Sequence, residues 1–176
     1  MRNKNDIRNF VNLPDYISLG NLLFGCISIF SALQGFHFIA ALCIVVSAIF
    51  DLFDGRVARK LNLSSEFGLQ LDSLADAISF IMAPVIFAYA VSNKHWLILL
   101  ILSLYVCCGI LRLARYNITG TIENGKYFEG VPVPVSLILP LLYFVFEHFD
   151  LPILVWMSLF AVHALLMIST LRIKKL

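Results

Sequence analysis

Asp51-Leu52-Phe53-Asp54-Gly55-Arg56-Val57-Ala58-Arg59 is followed, after eight residues, by Gly68-Leu69-Gln70-Leu71-Asp72-Ser73-Leu74-Ala75-Asp76. Four carboxylates fall within these 26 residues, and apolar sequence runs away from them on both sides. The flanking runs are continuous and lack the period-2 alternation of strands, so they predict helices. Asp51 and Asp54 are three apart and Asp72 and Asp76 four apart, so each pair shares one helix face. Two such helices joined by a short turn run antiparallel and bring both pairs to similar depth.

The rest of the chain says what surrounds those helices. Of 176 residues, 60% are hydrophobic and 14% charged, and the mean hydropathy is +0.89. A soluble domain carries about a quarter charged residues, so the solvent implied here is a bilayer. Six apolar segments of near-spanning length can be read, at about 15–33, 38–59, 68–92, 95–115, 132–147 and 151–171. Backbone groups in lipid are satisfied only in helices or closed barrels. The expectation is therefore an all-α integral membrane protein with six transmembrane helices, forming a single domain over residues 1–176. Residues 1–13 can form a short interfacial amphipathic helix through Ile7, Phe10, Val11 and Leu13. The polar start carries no cleavable signal pattern.

Six spans place Arg2, Lys4, Arg8, Arg56, Arg59, Lys60, Arg112, Arg115, Lys126, Arg172, Lys174 and Lys175 on one side and Lys94 alone on the other. Basic residues mark the cytoplasmic side, so both termini are expected there, and the four aspartates roughly 5–15 Å below that surface. The compact chain points to the plasma membrane of a prokaryote. Trp96 and Trp156 read as interfacial anchors on the opposite side. Cys26, Cys43, Cys107 and Cys108 read as small buried hydrophobes. The four histidines show no ligand spacing.

Ionisable residues inside a membrane are costly and face the protein interior or a watery cavity. Four converging carboxylates cannot all stay ionised at low dielectric without cations. An all-oxygen ligand set favours Mg²⁺ or Mn²⁺, with Ca²⁺ also admissible, over zinc. Gly55 and Gly68 weaken their helices by about 1 kcal/mol each relative to Ala. Close helix packing explains such residues; so does the approach of a flat ligand, with Ala58 continuing the same surface.

The quoted stretch matches, at all eight fixed positions, the pattern D-x2-D-G-x2-A-R-x8-G-x3-D-x3-D, and so resembles the CDP-alcohol phosphotransferase family. Phe67–Asp76, the Arg112-Leu-Ala-Arg115-Tyr116-Asn117 segment, and Phe128-Glu-Gly130-Val-Pro132-Val-Pro134 are similar to its phosphatidylserine synthase branch. Pro14-Asp15-Tyr-Ile-Ser18, with Asn21 and Gly25, resembles that branch's first helix, although Asp15 and Ser18 stand where Asn and Thr are usual.

The resemblance implies two divalent cations held by Asp51, Asp54, Asp72 and Asp76, with Asp76 also the base. It implies CDP contacts at Gly55, Ala58, Arg59 and Gly68, Arg59 alternatively pairing with the aspartates. Its substrates would be a CDP-activated lipid and L-serine, and its usual state a homodimer; no nucleic-acid partner is expected. Arg112 and Arg115, whose forks suit a carboxylate or phosphate, are acceptor candidates, with Asn117, Tyr116 and Gln70 as further neighbours. Residues 119–134 form either a lid or a plain connector. Two rivals stand beside this reading: a relative using another alcohol, such as glycerol phosphate or an inositol phosphate, and a small cation transporter. The transporter leaves the glycine, alanine and arginine positions unexplained.

Overall fold

The computed structural model describes residues 7, 10–120 and 127–174. Among the described residues are six long helices: α1 Leu13–Leu33, α2 His37–Leu61, α3 Glu66–Val91, α4 Trp96–Thr119, α5 Val133–His148 and α6 Ile153–Ile168. Each matches one apolar run read from the sequence. The first four are long and apolar enough to cross a membrane. α6 has 16 residues, which at 1.5 Å per residue makes about 24 Å, short of a ~30 Å hydrocarbon core; α5 is also short. The basic residues Arg2, Lys4, Arg8, Lys126 and Lys175 lie outside the described residues, as do residues 1–6 of the expected interfacial segment. Near its end, the Ile7 carbonyl accepts bonds from the amides of Phe10 and Val11 at 3.0 and 3.3 Å.

Polarity is distributed inside out. Leu23, Phe30, Phe38, Leu111 and Leu165 point outward, whereas Asn21, Ser28, Ser47, Ser79 and Ser136 are fully buried. Such a surface suits hydrocarbon, and small polar residues between helices suit close backbone approach there.

Two turns place the aspartate-bearing helices. Gly35, at φ +84°, lets the chain reverse between α1 and α2. α2 closes with Asn62 in the left-handed region at φ 53°, and the Leu63 amide returns to the Ala58 carbonyl at 3.0 Å, satisfying a terminal carbonyl. Ser65 then caps α3, its Oγ accepting from the Gly68 amide at 2.9 Å. α2 and α3 therefore run antiparallel with their carboxylates at matching depth.

α3 is irregular where it leaves those carboxylates. Directly after Asp76 it widens into a π-helical stretch, Ala77–Met82. Pro84 lies just beyond, and its ring conflicts with a regular bond to the Phe80 carbonyl. The Phe80 carbonyl instead accepts the Ser136 hydroxyl at 2.6 Å, so α5 supplies the partner that α3 gives up.

One expectation is corrected. Trp156 is not an interfacial anchor: it is fully buried, and its Nε1 donates to the Leu139 carbonyl at 2.8 Å. Hydropathy gave its depth, but not that it faces Phe87 across the bundle and packs on Phe160 one turn along its own helix. Trp96 is exposed. The fold is all-α as expected, with one small addition: β1, Tyr127–Glu129, pairs antiparallel with β2, Arg172–Lys174, with Phe128 opposite Ile173. Part of the segment expected to be a lid or a connector is thus one strand of a small ribbon, while residues 121–126 lie outside the described residues.

Candidate active site

The end of the bundle that carries the α2–α3 turn holds a cavity of about 210 Å³. Asp15 and Ser18 of α1, Asp54, Gly55, Ala58 and Arg59 of α2, and Ser65, Gly68 and Asp72 of α3 line it, together with Tyr116 at the end of α4. All four positions expected to contact CDP therefore face one space, beside two of the four aspartates. Asp51 and Asp76 lie one turn farther from the α2–α3 turn. Asp51, Asp72 and Asp76 each offer a carboxylate oxygen, and these atoms all lie within 4.8 Å of one another.

Like charges at that spacing repel strongly in a low dielectric. The surroundings offset this only in part. Ser18 Oγ donates to Asp54 Oδ2 at 2.7 Å and Asn21 Nδ2 to Asp76 Oδ1 at 3.2 Å. Asp72 Oδ1 is buried without a hydrogen-bond partner. An all-oxygen donor set with an unpartnered carboxylate oxygen fits hard divalent cations, and Asp51, Asp72 and Asp76 are the residues that would hold one. Asp54 is buried and faces the cavity next to them.

The two signature glycines differ. A Cβ on Gly68 would stand 2.7 Å from Asp15 Oδ1 and 3.2 Å from Ser65 Oγ, so close packing accounts for this glycine. A Cβ on Gly55 would meet nothing nearer than Arg59 Nη1 at 3.6 Å. No packing explains Gly55, and its bare backbone opens onto the cavity. Arg59 is exposed along the same wall.

The two acceptor candidates separate as well. Arg112 is buried, its guanidinium 5.1 Å from the Tyr116 ring centre, and the carboxyl groups acting on it are those of Asp76 and Asp51. Its Nε has no hydrogen-bond partner. Arg115 turns away from the aspartates: Nη2 donates to the carbonyls of Glu129, Met167 and Ser169 at 3.0, 3.0 and 3.2 Å, and Nη1 to that of Ile168 at 3.3 Å. It caps the carbonyl end of α6, which a helix leaves unsatisfied. Asn117 accepts from Ser73 Oγ at 2.8 Å and donates to Gln70 Oε1 at 3.5 Å, a polar link between α3 and α4 rather than part of the cavity wall.

Helix α1 supplies site residues to which the sequence reading assigned no role. Asp15, Ser18, Asn21, Gly25 and Ser28 are all buried on one face. Their three- and four-residue spacing was a visible signal, because polar and small residues formed a stripe along an otherwise apolar helix.

The profile of the family described as CDP-alcohol phosphatidyltransferase matches residues 11–170. Among curated proteins, the chain is similar to the CDP-diacylglycerol–serine O-phosphatidyltransferase of Saccharomyces cerevisiae, 40% identical over 145 residues, covering 74% of this chain and 52% of that protein. It is similar to the archaetidylserine synthase of Methanothermobacter thermautotrophicus, 39% identical over 142 residues, covering 78% of this chain and 60% of that protein. The CDP-diacylglycerol–serine O-phosphatidyltransferase of Bacillus subtilis is 38% identical over 128 residues, 70% of each chain. The chain thus spans little more than half the length of the first two relatives. The profile match runs from before the first helix to beyond the sixth, so the whole bundle lies within one family, and the chain belongs to the CDP-alcohol phosphatidyltransferases.

Proposed function

We propose that this protein transfers a phosphatidyl group from a CDP-activated lipid to L-serine, releasing CMP and forming a phosphoserine-headed lipid. The observation that carries the reading is one cavity in which an unpacked glycine, Gly55, stands beside Asp54 and beside Asp72, through which the space meets the carboxylate cluster. Relatives named for serine transfer support serine as the acceptor. An archaetidylserine synthase stands among them, so the donor's class is CDP-activated lipid and no narrower.

Each group has a task in this reaction. Gly55, Ala58 and Gly68 form a low wall against which the nucleotide lies, with Arg59 beside its phosphates. The serine hydroxyl attacks the β-phosphorus, the bond from that phosphorus to the bridging oxygen breaks, and CMP departs with the oxygen. Asp76 accepts the hydroxyl proton. Arg112 receives the serine carboxylate, having an uncommitted Nε near the cluster. Divalent ions, Mg²⁺ or Mn²⁺, bound by Asp51, Asp54, Asp72 and Asp76 would supply the positive charge that pyrophosphate and leaving CMP require. The twelve-to-one placement of basic residues supports a site facing the cytoplasm, and the family resemblance supports a homodimer.

One preparation tests the set. Inverted membrane vesicles given CDP-diacylglycerol, Mn²⁺ and L-serine are expected to release CMP and form phosphatidylserine, while Asp76→Asn vesicles lose both. Right-side-out vesicles are expected to stay inactive until permeabilised, and the solubilised protein to have the mass of two chains. CMP release with glycerol phosphate or an inositol phosphate but not serine would overturn the acceptor. No release with any acceptor, from folded protein, would overturn the transferase reading.

A further inference from the structure

Most of the buried side-chain bonds that join helices in this bundle end on backbone carbonyls. Ser28 Oγ donates to the Ala40 carbonyl at 2.8 Å and Ser136 Oγ to that of Phe80 at 2.6 Å. Ser47 Oγ and Ser79 Oγ both donate to the Asn21 carbonyl, at 2.7 and 3.0 Å. This is how small polar residues commonly join helices in a membrane. Ser18 and Asn21 differ, because their side chains end on carboxylates of the site: Asp54 on α2 and Asp76 on α3. α1 gives no carboxylate to the cluster of Asp51, Asp72 and Asp76, yet it holds one aspartate from each neighbouring helix.

Asn21 is the better fixed of the two. Its backbone carbonyl is held from α2 by Ser47 and from α3 by Ser79, so its position is set by both helices that carry the aspartates. Its side chain is fully buried, and Oδ1 has no hydrogen-bond partner among the described residues. An unpaired buried amide oxygen is unfavourable, and an apolar side chain of similar size would pack there without it. Helix packing therefore does not account for the amide, whereas the bond from Nδ2 to Asp76 does.

We infer that Asn21 is the positioning residue of Asp76: holding Oδ1 fixes the plane of the carboxylate and leaves its other oxygen for the cluster and the acceptor. The inference rests on the proposed function for what Asp76 does. The placement of Asp76 itself is read without that function, from ion binding. Partners of this kind are as decisive as the ligands they orient, since their loss weakens metal affinity or activity by about 10- to 100-fold.

The experiment uses the full chain in detergent, with Asn21→Leu and Asn21→Asp. Leu keeps the volume and removes the donor. Asp keeps the shape and puts a like charge against Asp76. Binding of Mn²⁺ alone is read from the spin-resonance signal of the free ion, and CMP release is measured with CDP-diacylglycerol and L-serine. Both variants are expected to bind Mn²⁺ and turn over about 10- to 100-fold less well, with KM for both substrates within about twofold of the parent. A residue needed only for packing would lower the melting temperature and leave the Mn²⁺ affinity and kcat of the folded fraction unchanged. That result in either variant overturns the inference. So does failure of both to fold in saturating Mn²⁺, which would assign Asn21 to the fold. If Asn21→Leu alone fails to fold, Asn21→Asp decides. Should the parent protein release no CMP, the proposed function fails, and the Mn²⁺ measurement still judges Asn21.

Discussion

Gly55 and Gly68 are both fixed positions of the signature, yet a methyl group would meet different surroundings at each. At Gly68 it must displace Asp15, a buried carboxylate whose Oδ2 is fixed by the Asn12 amide at 2.7 Å. Overpacking of this kind costs about 1–3 kcal/mol, so Gly68→Ala is expected to lower the melting temperature of the solubilised protein. At Gly55 the methyl enters open space, and alanine is the better helix former by about 1 kcal/mol. Gly55→Ala is therefore expected to melt no lower than the parent while raising KM for the CDP-lipid. An overlap costing about 1–3 kcal/mol corresponds to roughly 5- to 150-fold in that constant. Substrate titration beside a melting curve checks both. An unchanged KM in Gly55→Ala would mean that the nucleotide lies elsewhere.

Among the helices, α4 shows most clearly what one residue's direction decides. Arg112 and Arg115 are three apart near the same end, but one lies under the carboxylates and the other clasps the end of α6. The approach to α5 is built on that clasp: the Gly130 amide donates to the Leu171 carbonyl at 2.8 Å and the Val131 amide to that of Leu166 at 3.1 Å. Gly130 takes φ +74°, and a side chain there would collide with the Met167 carbonyl and Arg115. Arg115→Leu removes the donors of the Glu129, Met167, Ile168 and Ser169 carbonyls, and bonds to charged groups are worth about 1.5–3 kcal/mol. A loss of roughly that size is expected in thermal or denaturant unfolding. Arg115→Lys should recover only part, since an ammonium lacks the fork, and should leave KM for serine unchanged. A stable Arg115→Lys with a raised serine KM would instead return Arg115 to the acceptor pocket. The sequence could not separate the two arginines, because a basic residue at a helix end looks the same whether it faces a ligand or a carbonyl. The aspartates were legible for the opposite reason: charge inside an apolar run has few places to go. The stripe on α1 lies between these cases, since Ser18 and Asn21 look like ordinary packing residues until their partners are known. The ribbon left no local pattern, its strands being three residues each and far apart in the chain.

For the molecule as a whole, the carboxylate cluster is both a site and a liability. It joins α2 to α3 directly and reaches α1 through Ser18 and Asn21, so repulsion within it acts against the packing of three helices at once. A divalent ion bound there would turn that repulsion into a cross-link. An ion that binds only the folded protein stabilises it by about 2.7 kcal/mol at a hundredfold excess over its Kd. For a chain of this size, that corresponds to roughly 5–10 °C in the melting midpoint. EDTA is therefore expected to lower the midpoint of the solubilised protein by about that much, and Mn²⁺ or Mg²⁺, but not Na⁺, to restore it. Asp72→Asn separates the two roles. It keeps the side-chain volume and removes one of the three mutually close charges, including the oxygen that has no hydrogen-bond partner. Its metal-free midpoint should rise above the parent's, while the increment from Mn²⁺ should largely vanish. If EDTA left the parent's midpoint unchanged and Asp72→Asn melted lower than the parent without metal, the cluster would be held together by shared protons and hydrogen bonds, and ions would not be what joins α2 to α3.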